Sequence, residues 1–163
     1  MPAHYNVLFL CTGNSARSIL AEALLNHRAK GSLTAYSAGS HPSGVVRPEA
    51  LSQLKSAGIP TTGLRSKSWD EFALPDAPRM NFVFTVCDNA ANETCPFWPG
   101  QPMTAHWGIP DPAAVKGTPE EIARAFREAF TILDRRINLF LALPLATLEQ
   151  LAIQHEIENI GRS

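Results

Sequence analysis

The first segment with residue types suited to chemistry is Cys11-Thr-Gly-Asn-Ser-Ala-Arg17-Ser18, which lies between two apolar stretches. Residues 6–10 before it form a short continuous apolar run, typical of a strand buried on both faces of a parallel sheet. Residues 18–29 after it carry apolar side chains at helical spacing. The segment is therefore predicted to be a loop beyond the carboxyl end of a strand, where ligands bind in open α/β sheets.

Such a loop suits a tetrahedral oxyanion. The start of the following helix offers unpaired N–H groups and a partial positive charge. A tight turn at Gly13 can aim successive N–H groups inward, and the planar guanidinium of Arg17 can bind two oxygens of the anion. The predicted oxyanion-binding residues are Thr12, Gly13, Asn14, Ser15, Ala16 and Arg17.

The same surroundings would act on Cys11. A thiol beside a helix N-terminus and a guanidinium is expected to have a lowered pKa, and so to be a nucleophile aimed at the centre of the oxyanion. The hydroxyl of Ser18 is expected to donate a hydrogen bond to this sulfur, and that of Ser15 is a second candidate donor. The alternative reading is a buried structural cysteine near a surface arginine.

Composition limits the classes of protein that remain. The chain has 163 residues, which predicts one domain, and its formal net charge of −1 argues against a bulk electrostatic grip on nucleic acid or on anionic membranes. With three cysteines it cannot close every thiol into disulfides within one chain, and no secretory signal or membrane span is visible. We expect a cytoplasmic protein with reduced thiols.

Alternating patterns along the chain predict a parallel α/β sheet with right-handed crossovers. Further strands are expected at residues 34–38, 82–86 and 103–106. A helix is expected from Pro48 to about residue 57, and another from the capping box at Thr118 to about residue 141. An amphipathic piece over about 147–159 follows, so that the core spans about 6–143 and a helical extension spans about 144–163.

A second cysteine and an aspartate later in the chain are expected to lie close to the Cys11–Ser18 segment in the folded protein. Cys87 ends the strand at 82–86, and strand ends gather at one edge of a parallel sheet, so we expect it near Cys11. Asp111, stiffened by prolines on both sides, is the candidate general acid, with Asp88 and Asp76 as weaker alternatives. Cys95 follows in a polar loop, and the spacing of these cysteines is not that of a zinc site. A packing role for Cys87 is the alternative.

The N-terminal strand, the Cys11–Ser18 segment and the helix after it resemble the low-molecular-weight protein tyrosine phosphatase superfamily, which includes arsenate reductases on the same fold. The resemblance implies a three-layer α/β sandwich with a four-stranded parallel sheet. It also implies that Cys11 is the nucleophile, Arg17 the oxyanion clamp, Asn14 a loop-shaping residue and Ser18 the thiolate stabiliser. Asp111 would be the acid. Ala113 and Ala114 stand where the phosphatases usually carry aromatic residues, which disfavours phosphotyrosine.

For the arsenate reductases the resemblance implies a thiol relay. The Cys11 thiolate attacks arsenate, Cys87 attacks the Cys11 sulfur and releases arsenite, and Cys95, followed by Pro96, moves the disulfide to Cys87–Cys95. An external thiol system, thioredoxin or glutathione with glutaredoxin, would reset the enzyme, and no bound cofactor is expected.

Some of these reductases bind potassium near the loop. Asn14, Glu22 and Ser37 match three of its ligand positions, but the expected aspartate is not evident at Ser66 to Ser68, where Lys67 could replace the cation. The prediction is therefore that no metal is bound. Two other functions stay open: a phosphatase acting on phosphomonoesters through a phosphocysteine, and a non-catalytic oxyanion-binding regulator.

Overall fold

A computed structural model describes residues 4–87 and 101–163. Four strands form its sheet: β1 (Tyr5–Cys11), β2 (Leu33–Gly39), β3 (Phe82–Thr85) and β4 (Met103–His106). The four strands are parallel, in the order β2-β1-β3-β4. The predicted four-stranded parallel sheet is confirmed, and the most apolar strand, β1, is central, with β2 and β3 paired to its two sides.

Within the described parts of the chain, four α-helices connect or follow these strands: α1 (Arg17–Ala29), α2 (Pro48–Ser56), α3 (Pro119–Leu141) and α4 (Gln150–Gly161). Local sequence explains their ends. Helix α2 starts at a proline, which lacks the N–H that the first turn would leave unpaired. Helix α3 begins with the predicted capping box between Thr118 and Glu121. Helix α1 ends at Lys30, which has a left-handed backbone, followed by Gly31 at φ 90°.

Side chains of β1 alternate between two apolar clusters, as a strand buried on both faces requires. Val7 and Phe9 face the larger cluster, which contains residues of all four helices. Leu8 and Leu10 face a smaller one, which is covered by the 3-10 helix Trp69–Phe72 and by Met80. The tryptophans are buried as well, Trp69 in the smaller cluster and Trp107 in the larger one.

Helix α4, predicted as an amphipathic piece, packs on the edge strand β4. Its Ile153, Ile157 and Ile160 are buried in the larger cluster. The indole N–H of Trp107, directly after β4, donates to the carbonyl of Ile157 at 3.0 Å. Within residues 4–87 and 101–163, the chain has no helix with the length and apolar character to cross a bilayer.

Candidate active site

Hydrogen bonds to its carbonyl groups fix the conformation of the loop between β1 and α1. The backbone N–H groups of His41, Ser43 and Arg47 donate to the carbonyls of Thr12, Gly13 and Ser15 at 2.9, 3.0 and 2.9 Å. In a trans peptide the next N–H points away from the carbonyl, and the described chain has no cis peptide bond. The amide N–H groups of residues 13, 14 and 16 therefore point away from that segment, as an anion nest requires.

Asn14 fixes the shape of this loop from within. It is fully buried and has φ 47°, a left-handed conformation that asparagine tolerates better than most residues. Its Nδ2 donates to Ser18 Oγ at 2.8 Å and to Ser37 Oγ at 3.0 Å, while its Oδ1 accepts from the N–H of Lys67 at 2.9 Å. Every polar atom of its side chain is thus used to tie the loop to its surroundings.

Arg17 is the first residue of α1 and lies between the loop and the segment after β4. Its Nη1 donates to the carbonyl of Ile109 at 3.0 Å, and its Nη2 lies 3.5 Å from Asp111 Oδ2. Its side chain is only 13% exposed. The start of α1 has no side-chain cap, so its first N–H groups are available to an anion beside the guanidinium.

Two buried thiols meet at the loop. The side chains of Cys11 and Cys87 are both buried, and they are hydrogen-bonded to each other. The Thr12 hydroxyl lies 3.6 Å from the Cys87 sulfur. The expectation that Cys87 lies near Cys11, drawn from the gathering of parallel strand ends, is confirmed.

The expected lowered pKa of Cys11 is wrong for this arrangement of the thiols. The hydrogen bond to Cys87 raises the pKa of Cys11, and burial raises it further. The charge of Arg17 and the N–H of Thr12 act in the predicted direction and lower the pKa, but they are outweighed. Two adjacent sulfurs cannot both carry a negative charge cheaply, so the contact with Cys87 opposes ionisation of Cys11.

Asp111 is placed by its own backbone and by Arg17. Its Oδ1 accepts from the N–H of Ala113 at 2.9 Å and so caps the 3-10 helix Pro112–Ala114, while its second oxygen faces Arg17. The alternative acid Asp76 is exposed and precedes β3. The nearby residues Arg79 and Asn81 bond to Asn6 at the start of β1, the end opposite Cys11. The geometry favours Asp111 over Asp76.

Ser18 is buried against Asn14, whose amide donates to its hydroxyl. The influences that shift the pKa of Cys11 come from Cys87, burial, Arg17 and Thr12, so donation from Ser18 to this sulfur stays a prediction. Ala113 and Ala114 continue from Asp111 with small side chains and present no aromatic wall there. Cys95, Pro96 and the alternative acid Asp88 lie outside the described residues.

Two residues matter to this geometry through contacts that the sequence does not reveal. Gly39, the last residue of β2, presses against the loop, and a Cβ there would collide with the backbone of Cys11 and Thr12. Arg136 of α3 is buried, and its Nη1 donates to the carbonyls of Trp107 and Gly108 at 2.8 and 3.3 Å. The sequence gives no reason to assign Arg136 to a site, because only folding brings this residue of α3 next to the segment that carries Asp111.

A comparison of the sequence with known protein families agrees with this fold and this site. Residues 6–154 match the model of the low molecular weight phosphotyrosine protein phosphatase family. The chain belongs to this family, and the resemblance seen in the sequence is confirmed.

The similar proteins include reductases. An arsenate reductase of Halalkalibacterium halodurans is 37% identical over 134 residues, which cover 82% of this chain and 93% of that protein. A solved arsenate reductase in the phosphate-binding state superposes with a TM-score of 0.69 at 25% identity, covering 85% of this chain and 97% of that one. A thioredoxin-dependent arsenate reductase of Corynebacterium glutamicum gives a TM-score of 0.56 at 28% identity, over 83% of this chain and 62% of its own.

Proposed function

We propose that this protein is an arsenate reductase that uses the Cys11–Cys87 thiol pair. The contact between these two thiols carries the proposal. A phosphatase needs only the nucleophile in the loop, whereas reduction of arsenate to arsenite needs two electrons, which two thiols supply when they form a disulfide. The second thiol follows β3 and lies against the first, beside the oxyanion loop. The similarity to curated arsenate reductases supports the same conclusion.

The first step is nucleophilic substitution at arsenic. Arsenate binds to the inward N–H groups of the loop and to Arg17, and its negative charge competes with Asp111 for the guanidinium. Once Cys87 no longer hydrogen-bonds Cys11, Arg17 and the N–H of Thr12 are left to stabilise the Cys11 thiolate. The Cys11 thiol passes its proton to the Asp111 carboxylate and its sulfur bonds to arsenic. One hydroxyl then leaves as water, with that proton delivered by Asp111.

The second step is the redox step. The Cys87 thiolate attacks the Cys11 sulfur, the sulfur–arsenic bond breaks, and its electron pair stays on arsenic as arsenic(V) becomes arsenic(III). Arsenite leaves and a Cys11–Cys87 disulfide remains, so two thiols are oxidised for each arsenate reduced. The hydroxyl of Thr12, 3.6 Å from the Cys87 sulfur, is placed to donate a hydrogen bond to the attacking thiolate.

Resetting the enzyme requires an external thiol reductant. In our proposal Cys95 attacks Cys87, which returns Cys11 as a thiol and leaves a Cys87–Cys95 disulfide for thioredoxin to reduce. The thioredoxin dependence stated for the Corynebacterium glutamicum protein supports this reductant. Glutathione with glutaredoxin is the alternative, and it would leave Cys95 without a role.

The test is a single turnover without reductant. The reduced protein is mixed with arsenate, and arsenite and free thiols are counted. We expect one arsenite and the loss of two thiols per chain, no arsenite from Cys11→Ser, and no arsenite from Cys87→Ser. Arsenite formation by a Cys87→Ser, Cys95→Ser double variant would refute the relay, and rapid hydrolysis of aryl phosphates without arsenite would favour the phosphatase. Oxyanion binding with neither activity would favour the regulator.

Multiple turnover then separates the two reductants. With thioredoxin, thioredoxin reductase and NADPH, we expect Cys95→Ser to lose steady-state turnover but to keep the single turnover, because Cys11 and Cys87 suffice for one reduction. Full steady-state activity of Cys95→Ser with glutathione and glutaredoxin would replace thioredoxin by the alternative.

A further inference from the structure

Lys67 is a buried cation next to the oxyanion loop that the steps above do not use. Its side chain is only 8% exposed, and its Nζ lies 3.6 Å from Glu22 Oε1 on α1. The same Nζ donates to the carbonyl of Arg65 at 3.0 Å. Burying an ammonium group is costly unless it is paired and hydrogen-bonded. The Glu22 carboxylate and the Arg65 carbonyl offset this cost, so Lys67 is expected to hold its neighbours in position.

The partner carboxylate leads directly to the loop. The Ser37 hydroxyl donates to Glu22 Oε1, and Asn14 Nδ2 donates to the Ser37 oxygen at 3.0 Å. The backbone N–H of Lys67 closes the circuit by donating to Asn14 Oδ1 at 2.9 Å. Lys67, Glu22, Ser37 and Asn14 therefore form one polar network, which we call the sub-loop network, and its last member sets the loop conformation.

A free metal cation does not fit this network. The Asn14 Oδ1 oxygen already accepts an N–H, and Glu22 Oε1 already accepts the Ser37 hydroxyl and faces the Lys67 ammonium. The Lys67 Nζ, 3.6 Å from Glu22 Oε1, already supplies a positive charge beside this carboxylate.

We propose that the Lys67 ammonium is a tethered cation that holds the Glu22 carboxylate ionised and, through Ser37 and Asn14, fixes the oxyanion loop, so that oxyanion binding needs no free monovalent cation. Lys67 is thus a positioning residue. Burial raises the pKa of Glu22, and Ser37 and Lys67 oppose this shift. Without the ammonium, Glu22 would have to take up a proton or a cation from solution. The inference shares with the proposed function only the binding of a tetrahedral oxyanion to the loop.

The test therefore uses inorganic phosphate, whose binding does not depend on arsenate reduction. Phosphate is titrated calorimetrically into the wild-type protein in potassium chloride and in tetramethylammonium chloride at equal ionic strength, since tetramethylammonium is too large to enter the network. We expect equal affinities in both salts. An affinity that rises in potassium would overturn the proposal, and this comparison needs no variant.

Variants then separate a tethered cation from a merely structural lysine. Lys67→Met is expected to lose about tenfold in phosphate affinity in tetramethylammonium, a typical coupling within one polar network, and to recover it in potassium, which can enter beside Glu22. The Lys67→Met, Glu22→Gln double variant should be insensitive to potassium. Lys55→Met, at an exposed lysine of α2, is the matched control. Wild-type affinity of Lys67→Met in both salts, or a loss that potassium does not restore, would refute the proposal.

Discussion

The guanidinium of Arg17 lies 3.5 Å from the carboxylate of Asp111, so the proposed anion clamp and the proposed acid are paired with each other before any oxyanion binds. The pair joins the start of α1 to the segment after β4. Because Arg17 also donates to the carbonyl of Ile109, its side chain already reaches from the start of α1, beside the loop, to the segment after β4. An incoming oxyanion must share Arg17 with Asp111, which brings the acid to the edge of the site.

This pairing predicts opposite effects of Asp111→Asn on binding and on turnover. The amide keeps an oxygen to accept the N–H of Ala113, so the 3-10 helix keeps its cap. Turnover of arsenate should fall by about a hundredfold or more because the general acid is lost. Phosphate should bind more tightly, because a negative charge beside Arg17 is removed.

The checks are single-turnover arsenite formation and calorimetric titration with phosphate. Asp134→Asn is the control, since Asp134 of α3 pairs with Arg28 away from the loop. Unchanged turnover in Asp111→Asn would assign the acid to another residue.

A second prediction concerns the thiol pair. The hydrogen bond to Cys87 is the largest influence that raises the pKa of Cys11, while Arg17 and the Thr12 N–H lower it. Cys87→Ala removes the raising influence and should lower the pKa of Cys11. More thiolate is then present at neutral pH, so Cys11 should be alkylated faster by iodoacetamide.

The measurement is the rate of Cys11 alkylation against pH, followed by mass spectrometry of the labelled peptide. The midpoint in Cys87→Ala should move to lower pH than in the wild-type protein. Cys87→Ser, which keeps a hydroxyl in the same place, should give a smaller shift. A midpoint that does not move would show that Cys87 does not control Cys11.

The sequence predicts the parts of the site that depend on local patterns. The apolar run of β1, the small polar loop and the helical spacing of α1 place Cys11 and Arg17 correctly, and the ends of parallel strands place Cys87 beside them. The predicted lowering of the Cys11 pKa is wrong because it considers only groups near Cys11 in the chain. The loop and the helix both lower this pKa, but the dominant effect comes from a direct contact with Cys87, which is far away in the chain. A pattern of residue types does not give such contact distances.

The hydrogen bonds to the loop carbonyls could not be predicted from the sequence either. Their donors are the backbone N–H groups of His41, Ser43 and Arg47, and residue types do not reveal which backbone groups will pair. Gly39 could be recognised as the end of a strand, but its close approach to Thr12 depends on how β2 lies against β1.

The close approach of Gly39 gives a third prediction. Gly39→Ala should destabilise the fold by about 2 kcal/mol, since the added methyl group meets backbone atoms of the loop that cannot move aside cheaply. Because those atoms belong to the oxyanion loop, phosphate affinity should fall as well.

Urea unfolding and phosphate titration measure the two effects. Gly58→Ala is the control, because Gly58 has φ 75° in open space, so that alanine there is strained without touching the loop. It should lower the free energy of unfolding but leave phosphate affinity unchanged. Equal phosphate affinities in both variants would show that Gly39 does not shape the loop.

The last prediction concerns the base of the segment that carries Asp111. Arg136 donates to the carbonyls of Trp107 and Gly108 and, through Nη2, to the backbone oxygen of Ser163 at 3.1 Å. One buried side chain thus ties the residues just after α4 to this segment. Burial is the main cause that lowers the pKa of Arg136, yet a guanidinium stays charged in proteins. Arg136→Met should cost roughly 3 kcal/mol, because it leaves buried carbonyls without a donor.

Turnover should respond differently from binding in this variant. With the segment loosened, Asp111 is less well placed, so the rate of arsenite formation in a single turnover should fall while phosphate affinity, which depends on the loop and Arg17, changes little. Arg135→Met, at the exposed neighbour on α3, should match the wild-type protein in stability and in rate. A parallel loss of rate and phosphate affinity in Arg136→Met would mean that Arg136 supports the whole site and not the acid segment alone.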